Sequence, residues 1–360
     1  MVIIMKDLVC NYKLGPKFKE VVKPLMGRLF ENVYIYITNN CNMYCAHCYL
    51  GNRLIERQEM PISNVIAHLK FWKELGASKV CFLGGEPTLY PFLKEAVDYA
   101  HRIGYKKVII NTNLSDVAYS VIKDYSVDDF TYIQTSLDGA VKETHEKIRG
   151  NGSFDNTINS IIQLAQKGYD VRIIMTVNKY NISEIIPMIE LSEKLGASLI
   201  KFHIMSEIGN ADKKAKLGVS PSSWITACDI IQQYAGTHTN RKIKISFQPA
   251  YAEFNNQKKY SEYGYKGCLG KLKNRMSVFP DGKCYICSFL FDYNESFAQL
   301  KDGIIEINNK SVETLFENNK CLSCVKCQFD GCIAEEMIYN KSVCNEEGLI
   351  PICRLWKIEL

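Results

Sequence analysis

The chain has 360 residues, 47% of them apolar and 23% charged, with a formal net charge of +5. That length supports one large domain plus a smaller one around a substantial core. The weak positive charge leaves no footprint for nucleic acid, no apolar run is long enough for a membrane span, and residues 1–10 carry Lys6 and Asp7 without a small-residue cleavage site, so they do not read as a signal peptide.

Along the chain, apolar β-rich runs alternate with amphipathic helical stretches. Strands are predicted over 33–38, 79–83, 107–111, 132–136, 171–176 and 199–203, with helices over 62–75, 91–103, 155–167 and 182–195 between them. Gly76, Gly104, Gly168 and Gly196 each fall where a helix stops before the next strand. Such βα units imply a parallel sheet, and six of them predict an α/β fold with a partial (β/α)6 TIM-like barrel over 31–215, after an N-terminal extension over 1–30. A helix near 221–234 and a Tyr-, Lys- and Asn-rich stretch over 251–265 make 216–265 a helical connector. The remainder, 266–360, is punctuated by cysteines and by the turn signals Asp281-Gly282, Asp302-Gly303 and Asp330-Gly331, which predicts a small cysteine-rich domain.

The 15 cysteines are the outlier, and nine of them lie from Cys268 onward. In a long chain without a secretion signal they favour metal or redox use over disulfides. The loop after the first strand reads Thr38-Asn39-Asn40-Cys41-Asn42-Met43-Tyr44-Cys45-Ala46-His47-Cys48, a C-x3-C-x2-C spacing. Three thiolates on one loop hold three corners of a [4Fe–4S] cube and leave one iron open. Structural zinc sites are closed by four ligands, so three cysteines fit zinc poorly.

This motif in this place resembles the signature of the radical S-adenosylmethionine (SAM) superfamily. The resemblance implies a [4Fe–4S] cluster on Cys41, Cys45 and Cys48 whose open iron chelates SAM. It implies reductive cleavage of SAM to a 5′-deoxyadenosyl radical that abstracts a substrate hydrogen. It also implies SAM contacts at the later strand ends. After the second strand, Gly84-Gly85-Glu86-Pro87 matches the motif that grips the SAM amino group. Asn113 follows the third strand, either as a polar wall near the ribose or as a helix cap. Ser136-Leu137-Asp138-Gly139, followed by Arg149-Gly150 and Gly152-Ser153-Phe154, matches a further run in which Ser136 and Arg149 face SAM. Asn178 and Met205 are candidates for the ribose and adenine, and His203 is either a further candidate or a core residue.

From Cys268 the pattern resembles the SPASM domain, which usually holds two auxiliary [4Fe–4S] clusters. By position, Cys268, Cys287 and Cys332 would serve the nearer cluster and Cys321, Cys324, Cys327 and Cys353 the farther one. The gaps between the later cysteines differ from the family's, and Cys284 stands where it could replace an absent ligand; Cys344 is spare. The rival is an all-thiolate zinc site on Cys284, Cys287, Cys321 and Cys324. Cys10, Cys81 and Cys228 read as structural.

SPASM-type enzymes imply a peptide or protein substrate, foremost a ribosomally made precursor peptide that gains a cross-link, a thioether or an epimerised centre. About 30 residues precede the barrel, too few for a recognition domain, so recognition would fall to the barrel mouth, the connector or a separate peptide-recognition protein. Sulfatase maturation to formylglycine is a second reading, but the carboxylate base expected after Cys287 is replaced by Ser288, with Asp292 the nearest acid. Modification of a porphyrin-type small molecule is a third, and an iron–sulfur or zinc binding module is the non-enzyme alternative. The clusters imply a cytoplasmic setting and a flavodoxin- or ferredoxin-type electron donor.

Overall fold

The computed structural model describes residues 13–14, 30–211, 216–272, 274–293, 295–307, 331–339 and 348–360. The strands number β1 (Lys13–Leu14), β2 (Asn32–Thr38), β3 (Lys79–Gly84), β4 (Lys107–Thr112), β5 (Tyr132–Ser136), β6 (Val171–Val177), β7 (Leu199–Ile204), β8 (Lys244–Phe247) and β9 (Tyr251–Glu253). They continue with β10 (Arg275–Val278), β11 (Lys283–Tyr285), β12 (Ala298–Lys301), β13 (Ile304–Ile307), β14 (Leu349–Pro351) and β15 (Ile358–Glu359). Strands β2 to β8 lie side by side in chain order, all parallel. The six predicted strands are present to within a residue or so at each end.

Two features extend that array. Strand β8 adds a seventh parallel member within the stretch expected to be a helical connector. Its Lys244-Ile245-Ser246-Phe247 is too short to announce itself by alternation. On the other side, β10 pairs parallel to β2, and β11, β12 and β13 continue as an antiparallel meander. The result is one 13-stranded sheet that runs through the barrel region and the cysteine-rich region alike. The sheet curls from β10 round to its β15 edge, because Arg275 on β10 and Lys357 beside β15 line one cavity.

Helices cover the outer face of the sheet: α1 (Arg53–Glu56), α2 (Ile62–Glu74), α3 (Leu93–Arg102), α4 (Asp116–Ile122), α5 (Lys142–Arg149), α6 (Ser153–Gln166), α7 (Ile185–Lys194) and α8 (Pro221–Thr237). Their buried faces form the main core; Val65, Leu69 and Trp72 of α2 are fully enclosed. Strand β6 shows the logic of the layers: Val171, Ile173, Met175 and Val177 are buried, while Arg172, Ile174 and Thr176 alternate with them and are partly exposed. Successive side chains on a strand face opposite ways, so one set packs under helices and the other faces inward. Here the inward set is largely polar: Lys79, Cys81, Asn111, Gln134, Ser136, Lys201 and His203 all line the cavity. A TIM barrel interior is ordinarily a packed apolar core. This one is a chamber.

Candidate functional site

The chamber encloses about 360 Å³. Its rim lies at the C-terminal ends of the strands, where the loop after β2 delivers Cys41, Cys45 and Cys48 into the lining. That loop is fixed by backbone contacts from three directions. Gly85 and Glu86 donate to the carbonyls of Thr38 and Asn40 at 2.8 and 2.7 Å. Ala46 donates to Ile148 at 2.8 Å, and Asn210, after β7, donates to Cys48 at 2.9 Å through its backbone and to Cys45 at 2.9 Å through its side chain. Glycine is required at two of these junctions. A Cβ on Gly85 would stand 2.3 Å from the Asn40 oxygen, and one on Gly209 2.4 Å from the Cys48 oxygen.

All three thiols are held protonated by their surroundings. Burial pushes Cys41 up to about 12 and raises Cys45 and Cys48 as well, and neighbouring cysteines add to the rise at Cys41 and Cys45. Such a group is stable as thiolates only around a cation. Among the described residues, no three Cys, His, Asp or Glu side chains converge on one point as a single metal ion requires. A four-iron cube takes each thiolate at a separate corner, and a set of three leaves a corner for a ligand. The residues present therefore fit an open [4Fe–4S] cluster better than one zinc ion.

The Gly-Gly-Glu-Pro turn serves the frame as well as the lining. Gly84, Gly85 and Glu86 line the chamber. The Glu86 carboxylate accepts from Thr88 N at 3.1 Å, Thr88 Oγ1 at 2.8 Å, Thr112 Oγ1 at 2.8 Å and Asn113 N at 2.7 Å. It ties the ends of β3 and β4 together; burial raises its pKa and these donors oppose the rise. Pro87 opens a single 3₁₀ turn, buried and outside the lining. Asn113 lines the chamber and bridges two elements: its Nδ2 donates to Asn42 in the cysteine loop at 2.8 Å, and its Oδ1 accepts from Ser115 N at 2.9 Å. The helix cap is Ser115, which precedes α4.

Ser136 and Arg149 both line the chamber. Arg149, the last residue of α5, places Nη1 3.9 Å from the Cys45 sulfur and pairs through Nε with Asp138. Asp138 is fully buried and also accepts from His47 Nε2 at 2.8 Å and Thr176 N at 2.6 Å. Burial opposes its ionisation, but Arg149 and His47 outweigh it and hold the carboxyl well below the usual range. The Arg149 charge is thereby fixed beside the cysteine loop. Met205 and His203 line the chamber, and burial with the nearby Lys201 and Lys357 pushes His203 down to about 3, so it is neutral there. Asn178 lies outside the lining; it accepts from Tyr180 N at 2.9 Å and donates to the Thr176 carbonyl at 3.2 Å, which shapes the turn after β6.

A second, smaller pocket gathers Cys268, Cys287, Cys332 and Cys353, all buried. Cys353 therefore sits with the three cysteines expected at the nearer cluster rather than apart from them. Its thiol is hydrogen-bonded to that of Cys268. Phe289 and Leu355 line both pockets and form the wall between them. Cys284 lies in neither: it is enclosed in β11, with its sulfur 3.7 Å from the Gly282 carbonyl. Cys321, Cys324, Cys327, Cys344 and Cys10 lie outside the described residues. Cys228 is buried on α8, as expected of a structural thiol, whereas Cys81 faces the chamber and donates to Asn111 Oδ1 at 3.4 Å. Ser288 lines the chamber, and Asp292 turns away from it to Arg53 at 3.6 Å.

The sequence reading missed most of the chamber wall, including Tyr34, Lys79, Gln134, Lys201 and Arg275. The signal was available by stepping back two residues at a time from Ser136 and His203, which gives Gln134 and Tyr132, and Lys201.

Residues 35–192 match the Radical SAM superfamily. The chain is 29% identical over 197 residues to the Fe-coproporphyrin III synthase of Methanosarcina barkeri, covering 54% of this chain and 49% of that protein. It is 32% identical over 184 residues to a probable GTP 3′,8-cyclase of Saccharolobus islandicus, covering 49% and 58%. It is 31% identical over 173 residues to the mycofactocin maturase MftC of Mycobacterium tuberculosis, covering 45% and 42%. The chain thus spans about half the length of the curated relatives it matches. In fold it is similar to Streptococcus suis SuiB bound to precursor peptide SuiA, with a TM-score of 0.70 at 18% identity over 89% of this chain and 76% of that one. It is also similar to anSMEcpe with bound AdoMet and Cp18Cys peptide, with a TM-score of 0.59 at 17% identity over 81% and 85%. Among the described residues, no helix is long and apolar enough to cross a membrane.

Proposed function

We propose that this chain, whose residues 35–192 are a radical SAM domain, is an enzyme that abstracts hydrogen from a peptide substrate, foremost a ribosomally made precursor peptide. The observation that carries the reading is the meeting of Cys41, Cys45 and Cys48 with Gly84, Gly85, Ser136 and Arg149 around one chamber. When bound, a [4Fe–4S] cluster on those thiols and SAM at its open iron supply a 5′-deoxyadenosyl radical. The chain's own residues hold and orient. Arg149, kept cationic by Asp138, faces the negative groups at the cysteine loop. Ser136 and Asn113 offer polar contacts along the wall, and Met205 adds an apolar one.

The peptide assignment draws support from the fold likeness to SuiB, which extends over 89% of the chain and so reaches past the radical SAM domain. Cys268, Cys287, Cys332 and Cys353 provide four thiols for an auxiliary cluster behind Phe289 and Leu355, which also line the chamber. The described and undescribed C-terminal cysteines together suit a SPASM-type region over 266–360. Ser288 stands where a sulfatase maturase would carry its base, and among the described residues Glu86, already engaged by four donors, is the carboxylate in the lining. That disfavours formylglycine formation. A flavodoxin- or ferredoxin-type donor, a cytoplasmic setting and a separate peptide-recognition protein complete the reading. The test is anaerobic incubation of the reconstituted enzyme with SAM, reductant and each short peptide encoded beside its gene, in heavy water, read by intact mass. Loss of two hydrogens or uptake of one deuterium is the expected result. SAM cleavage with no change in any peptide would move the substrate to small molecules, the class of the coproporphyrin relative.

A further inference from the structure

The chamber has a second end. Lys79, Tyr132 and Arg275 are the first residues of β3, β5 and β10, so they lie at the strand starts, opposite the cysteine loop. Three cations face the Tyr132 ring: Arg172 at 3.8 Å, Lys201 at 5.5 Å and Lys79 at 5.9 Å from its centroid. Arg275 lies over the Tyr34 ring at 4.2 Å. Lys79, Lys201, Arg275 and Lys357 all line the chamber.

Carboxylates answer only part of this charge, and Arg275 faces the phenols of Tyr34 and Tyr36 and the thiols of Cys287 and Cys353. Arg172 is paired with Asp170 at 2.7 Å and Lys357 with Glu359 at 3.2 Å. Among the described residues, no carboxylate is within ion-pair reach of Lys79, Lys201 or Arg275. Lys201 is 5% exposed and donates to the neutral Gln134 amide. Arg275 is 8% exposed, and its Nε is buried without a partner. Burial, and after it the neighbouring cations Lys357, Lys79 and Arg172, lower the proton affinity of Lys201. Buried charges are costly unless paired.

We propose that this end of the chamber is a subsite for a carboxylate of the substrate, gripped by Lys201 and Arg275 with Lys79 and Lys357 around it. The inference rests on reading the chamber as the place where substrate binds. It deepens that reading by naming the chemical group that sits farthest from the cysteine loop. A carboxylate suits the donors better than a phosphate does. In parallel βα units the helix N-termini, the usual phosphate cradles, open at the cysteine end. Here the donors are a guanidinium and ammonium groups set among tyrosine faces, which fit a planar anion on a carbon stem. The group can belong to an acidic side chain of a peptide or to a free small acid.

The test uses the cluster-reconstituted protein saturated with SAM and follows glutarate binding by calorimetry. Glutarate is expected to bind, and Lys201→Met with Arg275→Met to weaken it by about tenfold or more, the usual effect of losing charge-assisted bonds. Lys244→Met, an exposed lysine on β8, is the control and should bind as the parent does. If the double variant fails to fold by circular dichroism, each single variant carries the same expectation. Equal binding by parent and variants, or no binding at millimolar glutarate, overturns the subsite. Inorganic phosphate that binds tighter than glutarate and is lost in the same variants overturns its assignment to carboxylate. A second probe, the capped peptide Ac-Gly-Glu-Gly-NH2 against its glutamine counterpart, separates the sources. Selective binding of the acidic peptide supports a peptide carboxylate. Glutarate binding without it keeps the subsite and removes the peptide reading instead.

Discussion

Cys41, Cys45 and Cys48 reach the chamber from one short loop and stay partly exposed, whereas Cys268, Cys287, Cys332 and Cys353 come from separate stretches of chain and are all buried. The difference is one of openness. Three donors on a loop beside a chamber leave a coordination position and space for a ligand. The four cysteines of the smaller pocket are enclosed and leave little space beside them. The SPASM resemblance divides these cysteines between two clusters, whereas the fold sets Cys353 beside Cys268 through β14 and the turn after it.

The contrast is broken most severely by exchanging single ligands. Cys45→Ala is expected to abolish SAM cleavage, measured as 5′-deoxyadenosine by chromatography, and to remove about four irons per chain. Cys332→Ala should lose iron too, yet retain measurable cleavage without substrate conversion. Cleavage lost equally in both would mean that the two sites are not functionally distinct.

The join between the regions comes next in size. Buried Arg354 pairs with Glu335 and donates to the Met205 carbonyl at 3.0 Å, Ser206 Oγ at 3.3 Å and Tyr251 Oη at 2.9 Å. Arg354→Met leaves Glu335 buried without its cation and should cost about 4 kcal/mol in chemical denaturation. A loss under about 1 kcal/mol would show that the regions hold together without this link.

Acid sharpens the comparison, because all six histidines precede residue 239 and none lies in the cysteine-rich part. Burial pushes His68 down to about 3, and burial with Arg149 pushes His145 down to about 4. In the unfolded chain both take up a proton near about 6.5. The unfolded state therefore binds more protons between those values, and stability present above about pH 6.5 is lost as the pH falls toward 4. The expected cost is about 2 kcal/mol per histidine at pH 5, read from urea midpoints. His68→Leu should remove one share; an unchanged pH slope would contradict the buried, neutral imidazole.

The smallest effect is at the exposed side of the join. Arg53 lies over the Phe291 ring at 4.4 Å and donates to its carbonyl at 3.2 Å. Arg53→Ala should cost about 1 kcal/mol in the same titration, well below Arg354→Met. A larger loss would place the firmer clasp on the outside.

The barrel half was legible because its signals are local and repeated. Each strand start and helix stop carries its own residues, such as Gly76 before β3 and Gly104 before β4, and the cysteine loop is a contiguous motif. The cysteine-rich half depends on chain crossings that no local pattern records. Nothing in Arg275-Met276-Ser277-Val278 says that it joins β2, more than 230 residues earlier in the sequence. The chamber's polar wall was hidden for a third reason. Lys201 and Gln134 sit inside runs that read as apolar strands, and an isolated polar residue in such a run looks like noise until the inward face is known.

Strand β10 hydrogen-bonds along β2 with Arg275 opposite Asn32 and Val278 opposite Ile35. The two regions are thus not beads on a thread. A fragment ending before residue 266 would bare one side of β2, and an open row of amides and carbonyls recruits foreign strands. Neither half is a portable cassette. Supplied as separate polypeptides, they should regain solubility by fragment complementation, each serving as the other's missing edge.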